Sequence, residues 1–322
     1  MLVVLAGGVG GSKFLWGLAQ EVGPTGLTAI VNTGDDIELL GLRISPDLDI
    51  VTYTLAGLVH AEQGWGFAGD TFRCLEALGG FGVPTWFRLG DRDLATHLFR
   101  TQALREGRRL TEVAAAIAGA LGVATPILPM SDDPVATHVL IQDGGLRSVH
   151  FQEYLVRRGG ADEVRGVEYR GSPTARATAE VRRALSAAHA VVLAPSNPVA
   201  SIGPILAIPA LRELLQAIRV PILAVSPIVG GRSLKGPSDR FLRWAQVEVS
   251  PAGVAALYGS TLGRLDGLLV DRTDAGLQPR LEGMGIRVRA ADTVMAGPGD
   301  KRRVARETLA LLEEVRCAAP RS

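Results

Sequence analysis

The first groups in this chain able to do chemistry are a lysine on a glycine-rich turn and a cluster of carboxylates soon after it. Lys13 ends the stretch AGGVGGSK, behind Gly7, Gly8, Gly10, Gly11 and Ser12. Asp35, Asp36, Glu38, Asp47 and Asp49 follow in VNTGDDIELLGLRISPDLD. Glycines let a backbone turn sharply and approach a ligand closely. A helix opening there presents unpaired N–H groups and a partial positive charge, which together suit a phosphate. Clustered carboxylates suit a hard divalent cation, hydrogen bonds to a polar ligand, or a general base.

The turn fits neither common phosphate-loop pattern. A dinucleotide fingerprint beginning at Gly8 needs glycine where Lys13 stands. A P-loop beginning at Gly7 needs glycine at Ser12 and a hydroxyl residue at Phe14. Asn32, rather than an acidic residue, closes the second apolar run, which argues further against a nicotinamide-dependent oxidoreductase.

Later segments add candidates. RLGDRDLATH places Arg88, Asp91 and Asp93 beside a helix start, where either aspartate can cap and Leu94 and Leu98 would face the core. In LPMSDDPVATH, Asp132 and Asp133 are turn acceptors or site residues. In HFQEYLVR, His150 reads as hydrogen-bonded structure rather than as a catalyst. LAPSNPVASIGPIL brings Ser196 and Asn197 to a strand end, and AVSPIVGGRSLKGP repeats that one strand later with Ser226, Pro227, Gly230, Gly231 and Lys235, the pattern of nucleotide- or phosphate-handling walls. Carboxyl ends of parallel strands are where open α/β sheets form ligand crevices. A serine nucleophile is not supported, because no G-x-S-x-G elbow is present.

The elements that must position these residues are legible as apolar runs at 2–6, 27–32, 137–142, 190–194, 221–226, 265–270 and 286–290. Several are continuous rather than alternating, the pattern of strands covered on both faces. Helical patterns lie between them. One is expected to be capped by Thr111 and to carry Val113, Ile117 and Leu121. Another follows Asp300, with Val304, Leu311, Leu312 and Val315 on one face. The expectation is a Rossmann-like α/β sandwich with a mostly parallel sheet. It forms a single domain over 1–322, with an inserted helical region at roughly 51–125. The 322 residues are 47% hydrophobic and 21% charged, with a formal net charge of +1. No global field therefore favours nucleic acid or an anionic membrane. Two cysteines and no long apolar run point to a soluble, cytoplasmic protein.

In order from residue 6 to about 231, GGVGGSK, VNTGDDIELLGLRISPDLDIVTYTLAG, WGFAGDTF, RLGDRDLATHLFRTQ, LPMSDDPVATH, HFQEYLVR, APSNPVASIGPIL and SPIVGG resemble one family. It is the 2-phospho-L-lactate transferase family of coenzyme F420 biosynthesis, called phosphoenolpyruvate transferase in bacteria. The resemblance implies a Mg²⁺-dependent transfer from a guanosine diphosphate ester of lactate or enolpyruvate to the ribityl hydroxyl of the deazaflavin Fo, with GMP leaving. It implies that Asp49 and Arg88 bind Fo, and that Asp49 orients or deprotonates the attacking hydroxyl. Asp35, with Asp49 as a second ligand, would hold the metal. Gly10, Gly11, Ser12 and Lys13 would face the diphosphate; Ser196, Asn197, Ser226 and Pro227 would line the guanosine side. It also implies a homodimer. The residue chemistry is compatible, since phosphoryl-type transfer needs positioning and charge neutralisation more than a covalent nucleophile. The competing expectation is a non-catalytic nucleotide-sugar-binding regulator of the same superfamily, distinguishable by tight UDP-sugar binding without turnover of Fo.

Overall fold

The computed structural model describes residues 1–60 and 63–318. Seven parallel strands form its central sheet: β1 Leu2–Ala6, β2 Leu27–Val31, β3 Ile127–Pro129, β4 Ala190–Leu193, β5 Ile222–Val225, β6 Gly267–Asp271 and β7 Arg287–Ala291. Their order across the sheet is β7-β6-β5-β4-β1-β2-β3. The chain runs outward from β1 to β3, then returns to the centre and runs outward the other way through β4 to β7. The order reverses between β1 and β4, so a ligand crevice is expected at their carboxyl ends. This is the Rossmann-like sandwich read from the sequence, and the sheet is parallel throughout.

Burial explains why the strands read as unbroken apolar runs. Leu2, Val4 and Ala6 pack on one face, against Phe14, Leu15, Leu18, Val304 and Leu311. Val3 and Leu5 pack on the other, against Val181, Ile202, Leu211 and Val254. Neither face of β1 meets water, so no polar residue alternates into it. The apolar run at 137–142 was expected to join the same sheet. Instead Ala136–Gln142 is the middle strand of a separate antiparallel sheet, between Leu146–His150 and Val164–Arg170. Its exposure alternates along the strand, which is the pattern of a sheet with one covered face.

Helix α1, Gly8–Val22, follows β1 directly. Four more helices fill the stretch between β2 and β3: α2 Pro46–Leu55, α3 Arg73–Gly80, α4 Asp91–Arg105 and α5 Leu110–Ala120. Their caps differ from the sequence reading. Thr111 lies inside the first turn of α5, where its N–H and hydroxyl both donate to Asp132 Oδ1 at 2.7 Å. Asp91 does not cap α4; it accepts the amides of Arg73 and Cys74 at the start of α3. Asp70 performs that service for α4 through Arg92 and Asp93. Leu98 is 57% exposed rather than in the core. The residues α4 buries are His97, Arg100, Thr101 and Ala103.

The closing helix Pro298–Ala318 crosses α1. A Cβ on Gly17 would lie 2.2 Å from the carbonyl oxygen of Lys301. That obstacle is backbone, so the two helices must separate to admit a methyl group. Gly17→Ala is expected to lower the free energy of urea unfolding by about 1–3 kcal/mol, the usual cost of overpacking. An unchanged denaturation midpoint would show that the helices are not in this contact.

Candidate active site

The carboxyl ends of β1, β2, β4 and β5 open into a cleft of about 1010 Å³. That is the upper end of the range for small-molecule sites, with room for two ligands. Its floor is the glycine turn. Gly8 has a φ of +65°, the left-handed region that glycine adopts without strain. Gly10 abuts the end of β4 so closely that a Cβ would stand 2.4 Å from the carbonyl oxygen of Pro195. Ser196 locks the same junction by accepting the Gly7 amide at 3.2 Å and donating to its carbonyl at 2.7 Å. Part of the glycine requirement is therefore the packing of the start of α1 against the segment that follows β4. The rest is open: Val9 and Gly10 lie in the first turn of α1, where amides have no intrahelical acceptor.

The acidic segment approaches this turn from α2. Pro46 occupies its first helical position, where its missing N–H costs nothing. Asp47 and Asp49 follow in the first turn. Two residues correspond to about 200° of helical rotation, so the two carboxylates leave α2 in nearly opposite directions. Asp47 accepts the Gly8 amide at 2.8 Å and the side-chain amide of Asn32 at 2.9 Å. Asn32 also donates to Asp35 at 3.0 Å and accepts from Gly34, which commits the whole side chain. Gln152 donates to the other oxygen of Asp35 at 3.4 Å. Burial, reinforced by the Asp47 charge, pushes Asp35 well above the ordinary carboxylate range. Burial raises Asp47 to about 6 against the hydrogen bonds from Asn32 and Gly8.

Asp49 turns the other way, into α4. Both of its oxygens receive the guanidinium of Arg100, Oδ2 from Nη1 at 3.1 Å and Oδ1 from Nη2. His97 adjoins the pair. A guanidinium can only donate, so His97 Nδ1 accepts from Arg100 Nη1 at 3.1 Å. His97 Nε2 then faces Asp93 Oδ1 across 3.4 Å, and Asp93 takes the Tyr53 hydroxyl at 2.7 Å. This network is why the buried face of α4 is polar: its partner is the acidic wall of the cleft.

The remaining predicted residues divide by location. Asp35, Asp49, Arg88, Gly10, Lys13, Ser196, Asn197, Ser226 and Pro227 all line the cleft. Gly11 and Ser12 lie behind the turn; Ser12 is 1% exposed and donates to the Val9 carbonyl. The Ser196 and Ser226 hydroxyls are spent on backbone, and Asn197 Oδ1 caps Val199 and Ala200. Arg88 stands at the far end, over the ring of Phe72 at 4.3 Å. Its chain neighbours Trp86 and Phe87 also line the cleft, as does Trp65, which follows Gly64 beside the glycine turn. Asp132 and Asp133 serve as turn and helix-start acceptors. His150 Nε2 meets the Asp36 carbonyl, and burial lowers its pKa to about 4. The sequence assigns no site role to Asn32, His97, Arg100 or Gln152, and it marks Asp47 only as one member of the acidic cluster.

Among the described residues no group of three or more His, Cys, Asp or Glu side chains converges on a metal-sized point. Asp35 and Asp47 are brought together at the turn through Asn32, which donates to both. Two ligands are what Mg²⁺ commonly takes from protein when phosphate oxygens and water complete its shell. The pair therefore fits a substrate-bridged cation and does not fit a closed protein cage. Asp49, the second ligand expected from the sequence, leaves α2 on the opposite side and is paired with Arg100.

Known proteins with the same pattern supply the chemistry's class. Residues 2–300 match the family described as 2-phospho-L-lactate transferase CofD. The chain is similar to the phosphoenolpyruvate transferase of Streptomyces griseus, at 46% identity over 98% of this chain and 99% of the relative. It is similar at 41% identity to those of Nocardia farcinica, over 96% and 94%, and Mycobacterium avium, over 92% and 94%. A crystal structure of a UPF0052 family protein from Bacillus halodurans shares the fold, with a TM-score of 0.64 at 15% identity, covering 96% of this chain and 98% of that one. With the glycine turn, its acidic partner and the sequence identity in agreement over nearly the full length, the chain belongs to the 2-phospho-L-lactate transferase family and is a transferase.

Proposed function

We propose that this protein transfers an enolpyruvyl-phosphoryl group from an enolpyruvyl ester of guanosine diphosphate to the terminal ribityl hydroxyl of Fo. The hydroxyl oxygen attacks the distal phosphorus, the bridging P–O bond breaks, GMP departs with the bridging oxygen, and the hydroxyl proton is released. A phosphodiester remains. The observation that carries this reading is one cleft holding both an unpaired helix N-terminus beside Lys13 and the buried Asp35–Asp47 pair. The names of the relatives favour enolpyruvate over lactate as the transferred acid.

Each end of the cleft suits one substrate. The amides of Val9 and Gly10 and the Lys13 ammonium would neutralise a diphosphate. The apolar walls around Trp86 and Phe87, with Arg88 beside them, would take a flat aromatic ring. Asp49, its oxygens fixed by Arg100, retains lone pairs with which to accept and orient the ribityl hydroxyl. Positioning of this kind is a large part of the barrier to phosphoryl transfer. Asp35 and Asp47 would hold a Mg²⁺ ion, which would supply countercharge to the phosphates. The cation would also replace the proton that burial otherwise favours on the pair.

Incubating the protein with Fo, Mg²⁺ and each candidate ester in turn tests this. The expected product is the enolpyruvyl phosphodiester of Fo together with an equal amount of GMP, resolved by mass spectrometry. Product from the lactyl ester alone would move the specificity to lactate. Tight binding of UDP-sugars without turnover of any ester would replace the transferase reading with a regulatory one.

A further inference from the structure

A second lysine converges on the glycine turn from a segment remote in sequence. Lys235 lies between the short hairpin of Ile228–Val229 with Arg232–Ser233 and the helix Ser238–Trp244. Ser233 Oγ donates to the Gly236 carbonyl at 2.7 Å, closing a turn that presents Leu234 and Lys235 to the cleft. A point one bond from Gly64, where its Cβ would be, lies 3.1 Å from Val9 Cγ1 and 3.8 Å from Lys235 Nζ. The ammonium therefore hangs beside the first turn of α1.

Lys13 reaches the same region from the helix itself. It stands three residues after Gly10, hence on the same face, and its Nζ donates to the Met295 carbonyl at 2.9 Å. Burial pulls its pKa below the ordinary lysine range, and the charges of Lys235 and Lys301 pull it further down. The carboxylates nearby are spoken for. Asp47 is held by Gly8 and Asn32, Asp49 by Arg100, and among the described residues neither Lys13 nor Lys235 ion-pairs with an acid. Like charges gathered at unpaired helix amides are unfavourable until an anion joins them, and the more charge that anion carries the more it gains.

We infer that Lys235 is a second cationic clamp on the donor's diphosphate, acting across the cleft from Lys13 and the α1 amides. This rests on the reading that a nucleoside diphosphate ester occupies that end. Lys235 is exposed, so its replacement is expected to leave folding intact.

Calorimetric titration of the full chain with GDP and with guanosine, at fixed Mg²⁺, tests the clamp. Lys235→Met is expected to weaken GDP binding about tenfold or more, the worth of one charge-assisted hydrogen bond to phosphate. It should also flatten the salt dependence of that binding and leave guanosine unaffected. Lys235→Arg is expected to stay within about threefold of the unaltered protein, since it keeps the charge. GDP affinity unchanged in Lys235→Met overturns the clamp while leaving the donor reading standing. So does an equal loss for guanosine. Absence of GDP binding by the unaltered protein overturns both.

Discussion

Replacing Asp47 with asparagine is expected to slow turnover at least about a hundredfold, the scale on which a preorganised electrostatic group contributes to a reaction. The substitution preserves shape and removes charge. It also leaves no satisfactory orientation for the new amide. Asp47 accepts from the Gly8 N–H on one oxygen and from the Asn32 amide on the other, at 2.8 and 2.9 Å. An asparagine there must turn its own NH₂ toward one of these donors, an arrangement that costs about 1–3 kcal/mol. Either choice disturbs a contact at the turn: the Gly8 amide is released, or Asn32 loses its hold on the Asp35–Asp47 pair. The activity loss should be accompanied by a rise in the Mg²⁺ concentration needed for half-maximal rate. Steady-state kinetics across a Mg²⁺ series checks both. A variant with unaltered turnover and Mg²⁺ response would remove Asp47 from the site.

The second large effect is on stability. Arg100 and Asp49 are 2% and 5% exposed, and they belong to elements 51 residues apart. Arg100→Met removes the countercharge and leaves a buried carboxylate with no cation against it. A loss of about 3–5 kcal/mol is expected, as for other broken buried pairs. His97 loses its Nδ1 donor in the same variant. The double variant Arg100→Met/Asp49→Leu should recover most of that loss, since a well-packed apolar pair often matches a buried ion pair. Urea unfolding of the two single variants and the double one closes the cycle. If Arg100→Met and the double variant are equally unstable, the ion pair is not what anchors α4 to α2.

These variants probe features that differ in how far the sequence reveals them. The parallel sheet was legible because strands buried on both faces must be apolar at every position, as LVVLA is in β1. The strand at 137–142 was legible as a strand and not as a member of the second sheet, because a short apolar run carries no record of its partner. Helix α4 shows the opposite failure. Leu94 and Leu98 have the spacing of a core-facing pair, yet the side facing inward is His97, Arg100 and Thr101. Hydrophobic periodicity reports the inward face only when that face meets apolar neighbours. Here it meets Asp49 and the Tyr53 hydroxyl of α2, and the polar residues are buried because they are paired.

The sequence by itself determined that a glycine turn would close a buried strand, that carboxylates would gather soon after the next one, and that both belong to a transferase family. These are local properties: glycine is needed where backbones approach, and an acidic run lies within a few residues of the strand it follows. Tertiary structure alone decided which carboxylate meets which partner. Asp47 joins Asp35 while Asp49 is taken by Arg100, because about 200° of helical rotation separates two residues of one turn. Lys235 likewise arrives at the turn only through the crossing from β5, 222 residues after Lys13. Pairings between distant segments are fixed by how layers pack, and no spacing within a single stretch of chain encodes them.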